Sequence, residues 1–265
     1  VPAGVDQAAY VKAAFLADIT TGNASSPYIT KIDAVKILGT MLGGYNIQPL
    51  IVCLKDNELA EAAAHVLSRT LLIFDAFNEI FELSKTNEHA KKVVKEWANA
   101  TWFTEKTDIE EQIKLTVYKV TGEINTDDLS PAPDAWSRPD IPLHALAMFK
   151  MPRTGLDDPL GTIEKLKEKG NPVVFVGDVV GTGSSRKSAT TSVLWHMGDE
   201  IPAIPNKKEG GFCFGGKIAP IFYNTLEDSG AFPVECDVSK LEMGQEIIFE
   251  PFKGQITDAK TNELL

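Results

Sequence analysis

The sequence predicts two domains of different class, an all-α segment followed by an α/β domain. Over residues 5–103 the apolar residues recur every three or four positions, which is the period of amphipathic helices. Over residues 113–120 apolar and polar residues alternate as in a strand, and strand and helix candidates then alternate to the end of the chain. A charged stretch at residues 105–111 separates the two patterns. We therefore expect a multidomain protein, with a helical domain over residues 1–110 and an α/β domain over residues 111–265.

Six short amphipathic helices are predicted in the first domain. Asp33, Asn57 and Asn87 occupy positions where helix N-caps are expected, and Gly43-Gly44 is expected to end the second helix. Short helices joined by tight turns favour an α-solenoid of helix pairs, although the sequence contains no clean repeat. The predicted helices cover residues 6–18, 32–42, 46–55, 57–72, 73–85 and 87–103.

The second domain is predicted to contain βαβ crossovers. Four prolines lie between residues 131 and 142, so this segment is expected to be a long ordered loop. After the strand at 113–120, the strand candidates are residues 173–177, 201–204, 231–236, 246–251 and 254–258, and the helix candidates are residues 143–149, 161–169, 186–197 and 218–229.

Charge and composition argue against several classes of protein. The 265-residue chain has a formal net charge of −11, and an acidic surface repels phosphate backbones, so constitutive nucleic-acid binding is not expected. No apolar run is long enough to span a membrane and the first residues lack the pattern of a secretory signal, which favours a cytoplasmic protein. The chain begins with Val1 rather than methionine, which suggests a processed chain or a piece of a longer one.

Cysteines and histidines form no metal-binding pattern. Cys53, Cys213 and Cys236 are widely separated and include no C-x-x-C pair, so they are not expected to hold zinc or an iron–sulfur cluster by themselves. The four histidines lack the i, i+4 spacing of two ligands on one helix. Cys213 lies in a predicted loop of glycines and phenylalanines, residues 210–216, and is expected to be packed rather than reactive.

Residues 173–188 are the strongest candidate for a functional site. Their pattern predicts an apolar strand that ends at Gly177, a glycine-containing loop and a helix that begins near residues 184–186. Such a junction places backbone N–H groups and the positive end of a helix dipole at one point, which favours anion binding. Arg186 would add a bidentate donor for a carboxylate. Alternatively, Ser184 and Ser185 only cap the helix and the glycines only permit the turn.

A second candidate follows the first strand of the α/β domain. Asp127 and Asp128 are expected on a loop at the end of that strand, where they could bind a substrate or hold a base, with an Asx-turn before proline as the alternative. Arg138 could clamp an anion or form only a surface ion pair. A further helix start is predicted near Pro220, and the sequence leaves open whether it faces the same cleft.

The two candidate segments resemble the motifs of one family. They read NTDDLSPAPDAWSRPDIP at residues 125–142 and GDVVGTGSSRKS at residues 177–188, and the helical half contributes GGYNI at residues 43–47. Over nearly its whole length the chain resembles the bacterial aconitate hydratase B family, also called 2-methylisocitrate dehydratases. The resemblance implies a HEAT-like helical domain at residues 1–110 and a swivelling β/β/α domain at residues 111–265.

The resemblance also implies roles for individual residues. Ser184 matches the serine that acts as the catalytic base beside a substrate carboxylate, and Ser185 and Arg186 match its substrate-binding neighbours. Arg138 is similar to the arginine that also binds a substrate carboxylate, and Asp127 is similar to an aspartate that supports the site. Where related aconitases have a histidine after that aspartate, this chain has Asp128, so no histidine role is transferred.

The activity implied by the resemblance is that of a hydro-lyase that interconverts citrate, cis-aconitate and isocitrate, with dehydration of 2-methylisocitrate as a further possibility. In the family a [4Fe-4S] cluster acts as the Lewis acid. The three cysteines of this chain match none of its ligands, so the chain itself is expected to bind no metal. We therefore expect an N-terminal piece that works with C-terminal catalytic domains of the same protein and is inactive alone.

Two other functions stay open at this point. A free-standing swivel subunit, as in two-subunit isopropylmalate isomerases, is disfavoured because those subunits lack a helical first half. A protein-interaction or dimerisation module is the other alternative, since solenoid surfaces usually bind proteins. The family also implies a homodimer and RNA binding, but residues 1–104 carry a net charge of −2 and no basic cluster, which gives RNA binding little support.

Overall fold

A computed structural model describes residues 7–41, 44–70, 74–105, 109–201 and 204–265. The chain separates into two compact units, one up to residue 108 and the other from residue 109 onward. Within the ranges described, none of the helices combines the length and the apolar character needed to cross a membrane.

The first unit is helical, as its periodicity predicts. Every predicted helix is present in the described ranges, and the last is interrupted at Ala100, whose backbone is left-handed with φ 54°. Gly43 lies outside the described residues. The helices are α1 (Gln7–Thr21), α2 (Lys31–Gly39), α3 (Ile47–Cys53), α4 (Ala60–Ser68), α5 (Phe74–Leu83), α6 (Glu88–Ala98) and α7 (Thr101–Thr104).

The helix caps of this unit were predicted correctly at one position of three. Asn87 is the N-cap of α6 and accepts a hydrogen bond from the Ala90 N–H at 2.8 Å. The prediction for Asp33 was wrong because Thr30 is the N-cap of α2, and Asp33 is the third helical residue of a capping box. The prediction for Asn57 was also wrong, since α4 begins at Ala60 with Leu59 as its N-cap residue. The Asp56 carboxylate accepts hydrogen bonds from the N–H groups of Glu58 and Leu59 in the turn before this helix.

The second unit is built on a six-stranded sheet with the strand order β6-β5-β2-β1-β7-β8. Strands β1, β2, β5 and β6 are parallel to one another, whereas β7 pairs antiparallel with both β1 and β8. A separate hairpin pairs β3 with β4. The strands are β1 (Ile113–Asn125), β2 (Val173–Thr182), β3 (Asp199–Ile201), β4 (Ile204–Glu209), β5 (Phe212–Ile218), β6 (Phe232–Glu235), β7 (Glu246–Glu250) and β8 (Gln255–Asp258).

The helices between the parallel strands cover one face of this sheet. There, Phe175 packs with the apolar sides of three helices, which contribute Ile163, Val193 and Phe222 among others. The opposite face has its own core around Phe214. The helices of this unit are α8 (Thr126–Leu129), α9 (Ile141–Ala145), α10 (Pro159–Lys167), α11 (Lys187–Met197) and α12 (Pro220–Asp228), and a 3₁₀ helix covers Ala132–Ser137.

Three sequence predictions for this unit were wrong in detail. Strand β2 does not end at Gly177 but continues to Thr182, because it pairs with β1 on one side and β5 on the other. The predicted loop at residues 210–216 belongs largely to β5, whose glycines allow its backbone to pass close to neighbouring atoms. The proline-rich segment is ordered as expected, but it contains a 3₁₀ helix and α9.

Both the backbone conformation at position 181 and the atoms packed around it require glycine. We therefore predict a large loss of stability in Gly181→Ala. Its φ of +80° is unfavourable for other residues, and an added methyl group would overlap the buried side chain of Phe222. We expect the free energy of unfolding to fall by roughly 2 to 5 kcal/mol in urea titrations. Gly155→Ala is the matched control, because Gly155 has φ +79° and nothing within 4 Å of the new methyl group. Equal losses in the two variants would contradict the packing argument.

Candidate functional site

The candidate site lies at the carboxyl ends of the parallel strands, where ligands bind in open α/β sheets. Strand β1 runs into α8, β2 runs into the loop at residues 183–186, and β5 leads to the start of α12. A cleft of about 300 Å³ opens there. It is lined by Thr126, Gly181, Thr182, Gly183, Ser185, Arg186, Ala219, Pro220, Ile221, Phe222 and Thr225. The start of α12 therefore does face this cleft, which the sequence left open.

Ser184 lies on the loop between β2 and α11, between two residues that line the cleft. The loop begins at Gly183, whose φ is +86°. The hydroxyl of Thr126 donates a hydrogen bond of 2.8 Å to the Ser184 carbonyl and so ties this loop to α8. The Ser184 side chain is exposed and makes no hydrogen bond within the described part of the chain.

The alternative that the serines only cap the helix is wrong. Helix α11 begins at Lys187, and its N-cap residue is Arg186, whose side chain makes no capping hydrogen bond. Ser184 and Ser185 precede the cap and are both exposed. The free N–H groups of this helix start therefore keep their anion-binding capacity.

Arg186 is held by groups on the α8 segment. Its Nη1 atom forms an ion pair with the Asp127 carboxylate and donates a second hydrogen bond, of 3.1 Å, to the Ser130 carbonyl. The Nε and Nη2 atoms have no partner among the residues for which the structure gives contacts. Arg186 lines the cleft, so one edge of its guanidinium is available for a carboxylate.

Arg138 lies near the same carboxylate. The pKa of Asp127 is lowered, first by the hydrogen bond from Arg186 and to a smaller extent by the charge of Arg138. Arg138 follows the 3₁₀ helix and is half-buried, and its Nε atom is buried without a hydrogen-bond partner. The surface ion pair considered for Arg138 is not found with any described residue. Two guanidiniums thus act on one carboxylate, which leaves a local positive charge in an acidic unit.

The carboxylate of Asp128 is used in bonds within the protein and does not line the cleft. Asn125 is the N-cap of α8, and Asp128 completes its capping box by accepting a 2.8 Å hydrogen bond from the Asn125 N–H. The same carboxylate pairs with Arg153 at 3.4 Å. The Asx-turn considered for this segment is present, because the Asn125 side chain accepts a 2.8 Å hydrogen bond from the Asp127 N–H, and it starts the one-turn helix α8. Asp127 is the carboxylate of this helix that pairs with Arg186.

A buried histidine for which the sequence carried no functional signal lies behind these loops. His144 is 2% exposed, and each ring nitrogen contacts a serine hydroxyl, Nε2 that of Ser130 at 2.7 Å and Nδ1 that of Ser137 at 2.8 Å. The Ser130 hydroxyl is also 2.7 Å from that of Ser188 on α11. These partners lie on different elements, so no sequence spacing indicates them.

The three cysteines occupy three separate apolar clusters. Cys53 belongs to the core of the helical unit, whereas Cys213 packs on the helix-covered face of the sheet and Cys236 on the opposite face. Burial raises the pKa of Cys213 to about 12 and that of Cys236 to about 11. Cys213 is packed, as its sequence context predicted.

Models of two known families match the two units. The model of the aconitate hydratase 2 N-terminus matches residues 115–265, and the model of the aconitate B N-terminal domain matches residues 1–103. Most of each unit is therefore matched by a model of an aconitase N-terminal region.

Curated relatives show the same similarity. Aconitate hydratase B of Escherichia coli (strain K12) is 59% identical over 273 residues, which cover 100% of this chain and 32% of that protein. Aconitate hydratase B of Synechocystis is 59% identical over 262 residues, 97% of this chain and 30% of the relative. The chain belongs to the aconitate hydratase B family, and it spans about a third of the length of these relatives.

A solved structure also matches part of the chain. It is a 3-isopropylmalate dehydratase from Methanocaldococcus jannaschii, which is 21% identical, with 58% of this chain and 79% of that chain covered at a TM-score of 0.43.

Proposed function

We propose that this chain forms the serine-bearing, carboxylate-binding part of an aconitate hydratase. The full enzyme is a hydro-lyase that removes and re-adds water between citrate, cis-aconitate and isocitrate. Residues 111–265 are assigned to the swivelling domain and residues 1–110 to a HEAT-like solenoid. The observation that carries the proposal is the cleft at the carboxyl ends of β1, β2 and β5, where the serine loop lies beside Arg186 and Asp127.

The electrostatics of the site suit a substrate with several carboxylates. The chain has a formal net charge of −11, so most of its surface repels such an anion. Arg186 lines the cleft and offers the edge of its guanidinium that Asp127 does not occupy. Arg138 is not among the residues that line this cleft, and its assignment to substrate binding rests on the family motif and on the charge it adds near Asp127. Ser185 lines the cleft beside Arg186, and its hydroxyl is assigned to substrate binding. Asp127 is assigned the supporting role of orienting Arg186.

Ser184 is assigned as the base that removes the proton next to a substrate carboxylate. A serine hydroxyl is a very weak acid, so its alkoxide needs positive charge and exclusion of water to become accessible. The N–H groups at the start of α11 and the nearby guanidinium of Arg186 supply positive potential. Exclusion of water is missing here, because Ser184 is exposed. We infer that another part of the enzyme closes over this loop.

The residues of this chain do not fit the iron–sulfur cluster of the family. A cluster needs several thiolates directed at one point. The three cysteines lie in three different apolar clusters, and burial raises the pKa of each thiol. The proposal is that the cluster is held by domains in the remaining two-thirds of the relatives' length, which would also contribute to binding the substrate.

The proposal includes three further properties that the family implies. They are a homodimer formed through the helical unit, a cytoplasmic location and RNA binding. The preference for citrate or 2-methylisocitrate is assigned to pocket residues of other domains. The free-standing swivel subunit is disfavoured, because family models match the helical unit as well as the sheet-containing one.

The proposal is tested by comparing this chain with the full-length protein. We expect the full-length protein, with its cluster reconstituted, to form cis-aconitate from citrate or isocitrate, as followed by ultraviolet absorbance. Residues 1–265 treated with iron and sulfide are expected to show no turnover, since they lack a site for the cluster. Activity of the short chain, or its absence from the reconstituted full-length protein, would contradict the proposal.

A further inference from the structure

The buried His144 lies in a continuous chain of hydrogen bonds behind the cleft. The chain of polar atoms runs from Ser188 on α11 to Ser130, then through the imidazole to Ser137, and ends at the carbonyl of Asp134. Its distances are 2.7 Å, 2.7 Å, 2.8 Å and 2.7 Å in that order. Ser130, Ser137 and His144 are each less than 5% exposed, so water does not compete for these bonds.

The number of available hydrogens sets the direction of the whole chain. A carbonyl can only accept, so the Ser137 hydroxyl uses its one hydrogen on Asp134 and must accept from Nδ1–H of His144. In the neutral ring Nε2 then accepts, and the hydrogen of Ser130 is directed to it. Ser130 can consequently only accept from Ser188. One tautomer of His144 therefore satisfies every hydroxyl in the chain.

The charge state of the ring agrees with this arrangement. Burial lowers the pKa of His144, and the positive charge of Arg138 lowers it further, while the backbone and the charge of Asp134 oppose both effects. The imidazole is therefore neutral near neutral pH. A second ring proton on Nε2 would point at Ser130 and would force that hydroxyl to turn toward another acceptor.

The chain connects the segments that carry the two arginines of the site. Ser137 immediately precedes Arg138 in the sequence and lies in the 3₁₀ helix. Ser130 accepts a hydrogen bond from Arg186 through its backbone carbonyl, at 3.1 Å. Ser188 lies two residues after Arg186, in the first turn of α11. Removing the imidazole would break the connection between Ser137 and Ser130, whereas the Ser130–Ser188 contact and the bond from Arg186 to the Ser130 carbonyl do not involve the ring.

We propose that His144 is a positioning residue, which holds the segment of Arg138 in a fixed position relative to that of Arg186. It touches no substrate in this arrangement and acts only through the two arginines. The inference rests on the proposed function in one respect, namely that these arginines bind the carboxylates of the substrate. The hydrogen-bond chain itself does not depend on that function.

The first test measures the tautomer in the 265-residue chain. Long-range ¹H–¹⁵N correlation spectra of the histidine rings are expected to show His144 as the neutral Nδ1–H form at neutral pH, assigned by its loss in His144→Phe or, if that variant does not fold, in His144→Gln. An Nε2–H tautomer or a charged ring would overturn the proposal. This measurement needs neither the cofactor nor enzyme activity. Its result therefore does not depend on whether the proposed function is correct.

The second test measures steady-state kinetics of the full-length enzyme. His144→Phe keeps an aromatic ring of similar size but removes both ring nitrogens. We expect its KM for isocitrate to rise about 10- to 100-fold with a smaller change in kcat, because displaced arginines bind the substrate carboxylates less well. Ser137→Ala, which removes the last two links and leaves those among Ser188, Ser130 and the imidazole, is expected to change KM in the same direction by a smaller factor.

His196→Phe is the matched control for this second test. His196 is also buried in the second unit, but its Nε2 is bonded to the Ala145 carbonyl at 3.0 Å, outside the serine chain. The KM of the His196→Phe variant is expected to stay within about twofold of that of the unsubstituted enzyme, even if the variant is less stable. An equal KM in the His144 and His196 variants would overturn the positioning role, while full activity of Ser184→Ala would overturn the proposed function instead.

Discussion

Ser184→Ala is expected to lower kcat of the full-length enzyme by about 10²- to 10⁴-fold, which is the usual contribution of a positioned general base. The KM for isocitrate should change little, because the hydroxyl of Ser184 makes no hydrogen bond that holds other residues of the described site. For the same reason the fold should be unaffected, since the side chain is exposed and caps no helix. Steady-state kinetics with citrate and isocitrate, together with thermal unfolding, measure both quantities.

Ser239→Ala is the control for this experiment. Ser239 is an exposed serine of the same unit, away from the residues that line the cleft. Its removal should leave kcat within about twofold of the unsubstituted value. If Ser184→Ala kept comparable activity, the serine would not be the base and the assignment taken from the family would fail.

Arg186→Lys is the second substitution for which we expect a large effect. Lysine keeps the positive charge but lacks the planar fork, so it cannot pair with Asp127 and a substrate carboxylate in the same geometry. We expect KM for isocitrate to rise by about 10²-fold, which corresponds to the loss of a charge-assisted hydrogen bond in a partly buried site. Kinetics at saturating substrate would show how much of kcat survives.

Arg153→Lys separates substrate binding from general loss of structure. Arg153 is similarly buried, with 21% of its side chain exposed against 16% for Arg186, and it pairs with Asp128. It also donates hydrogen bonds to the carbonyls of Thr121 and Glu123, at 2.6 Å and 2.7 Å. Its replacement should reduce stability with little change in KM. A similar KM in the two lysine variants would show that Arg186 does not bind the substrate.

The helices could be predicted well because their signal is local. An apolar residue every three or four positions is enough to define a helix that covers a core, and the longer helices of both units were predicted from this pattern, whereas the short α8 was not. The residues at which a helix or strand begins and ends depend on hydrogen bonds that the apolar periodicity does not show. Thr30 rather than Asp33 caps α2, because the box needs one hydroxyl and one carboxylate three residues apart with the hydroxyl first.

Strand β5 was missed for a different physical reason. Its Gly215 and Gly216 read as a loop in the sequence, since glycine is unfavourable in strands. In the folded chain a Cβ on Gly216 would lie 2.6 Å from the Asp178 carbonyl oxygen, so the close approach of two segments requires glycine there. Such an approach is a property of the assembled sheet and leaves no periodic signal.

For the candidate site, the sequence by itself determined the family and predicted the chemistry. Serine, arginine and aspartate side chains in two long motifs identify the residues, because the motifs are contiguous and specific. The distances between them were decided by the tertiary structure. Asp127 and Arg186 are 59 residues apart, and they form an ion pair because parallel pairing of β1 with β2 brings the carboxyl ends of both strands to one edge.

The same distinction explains His144. The sequence determined that a histidine lies in a short helix, but nothing in its neighbours indicates what the ring contacts. Only the packing of that helix against α8, the 3₁₀ helix and α11 surrounds the imidazole with serine hydroxyls and removes water from it. A hydrogen bond between buried side chains depends on positions in space, which residue order along the chain does not encode locally.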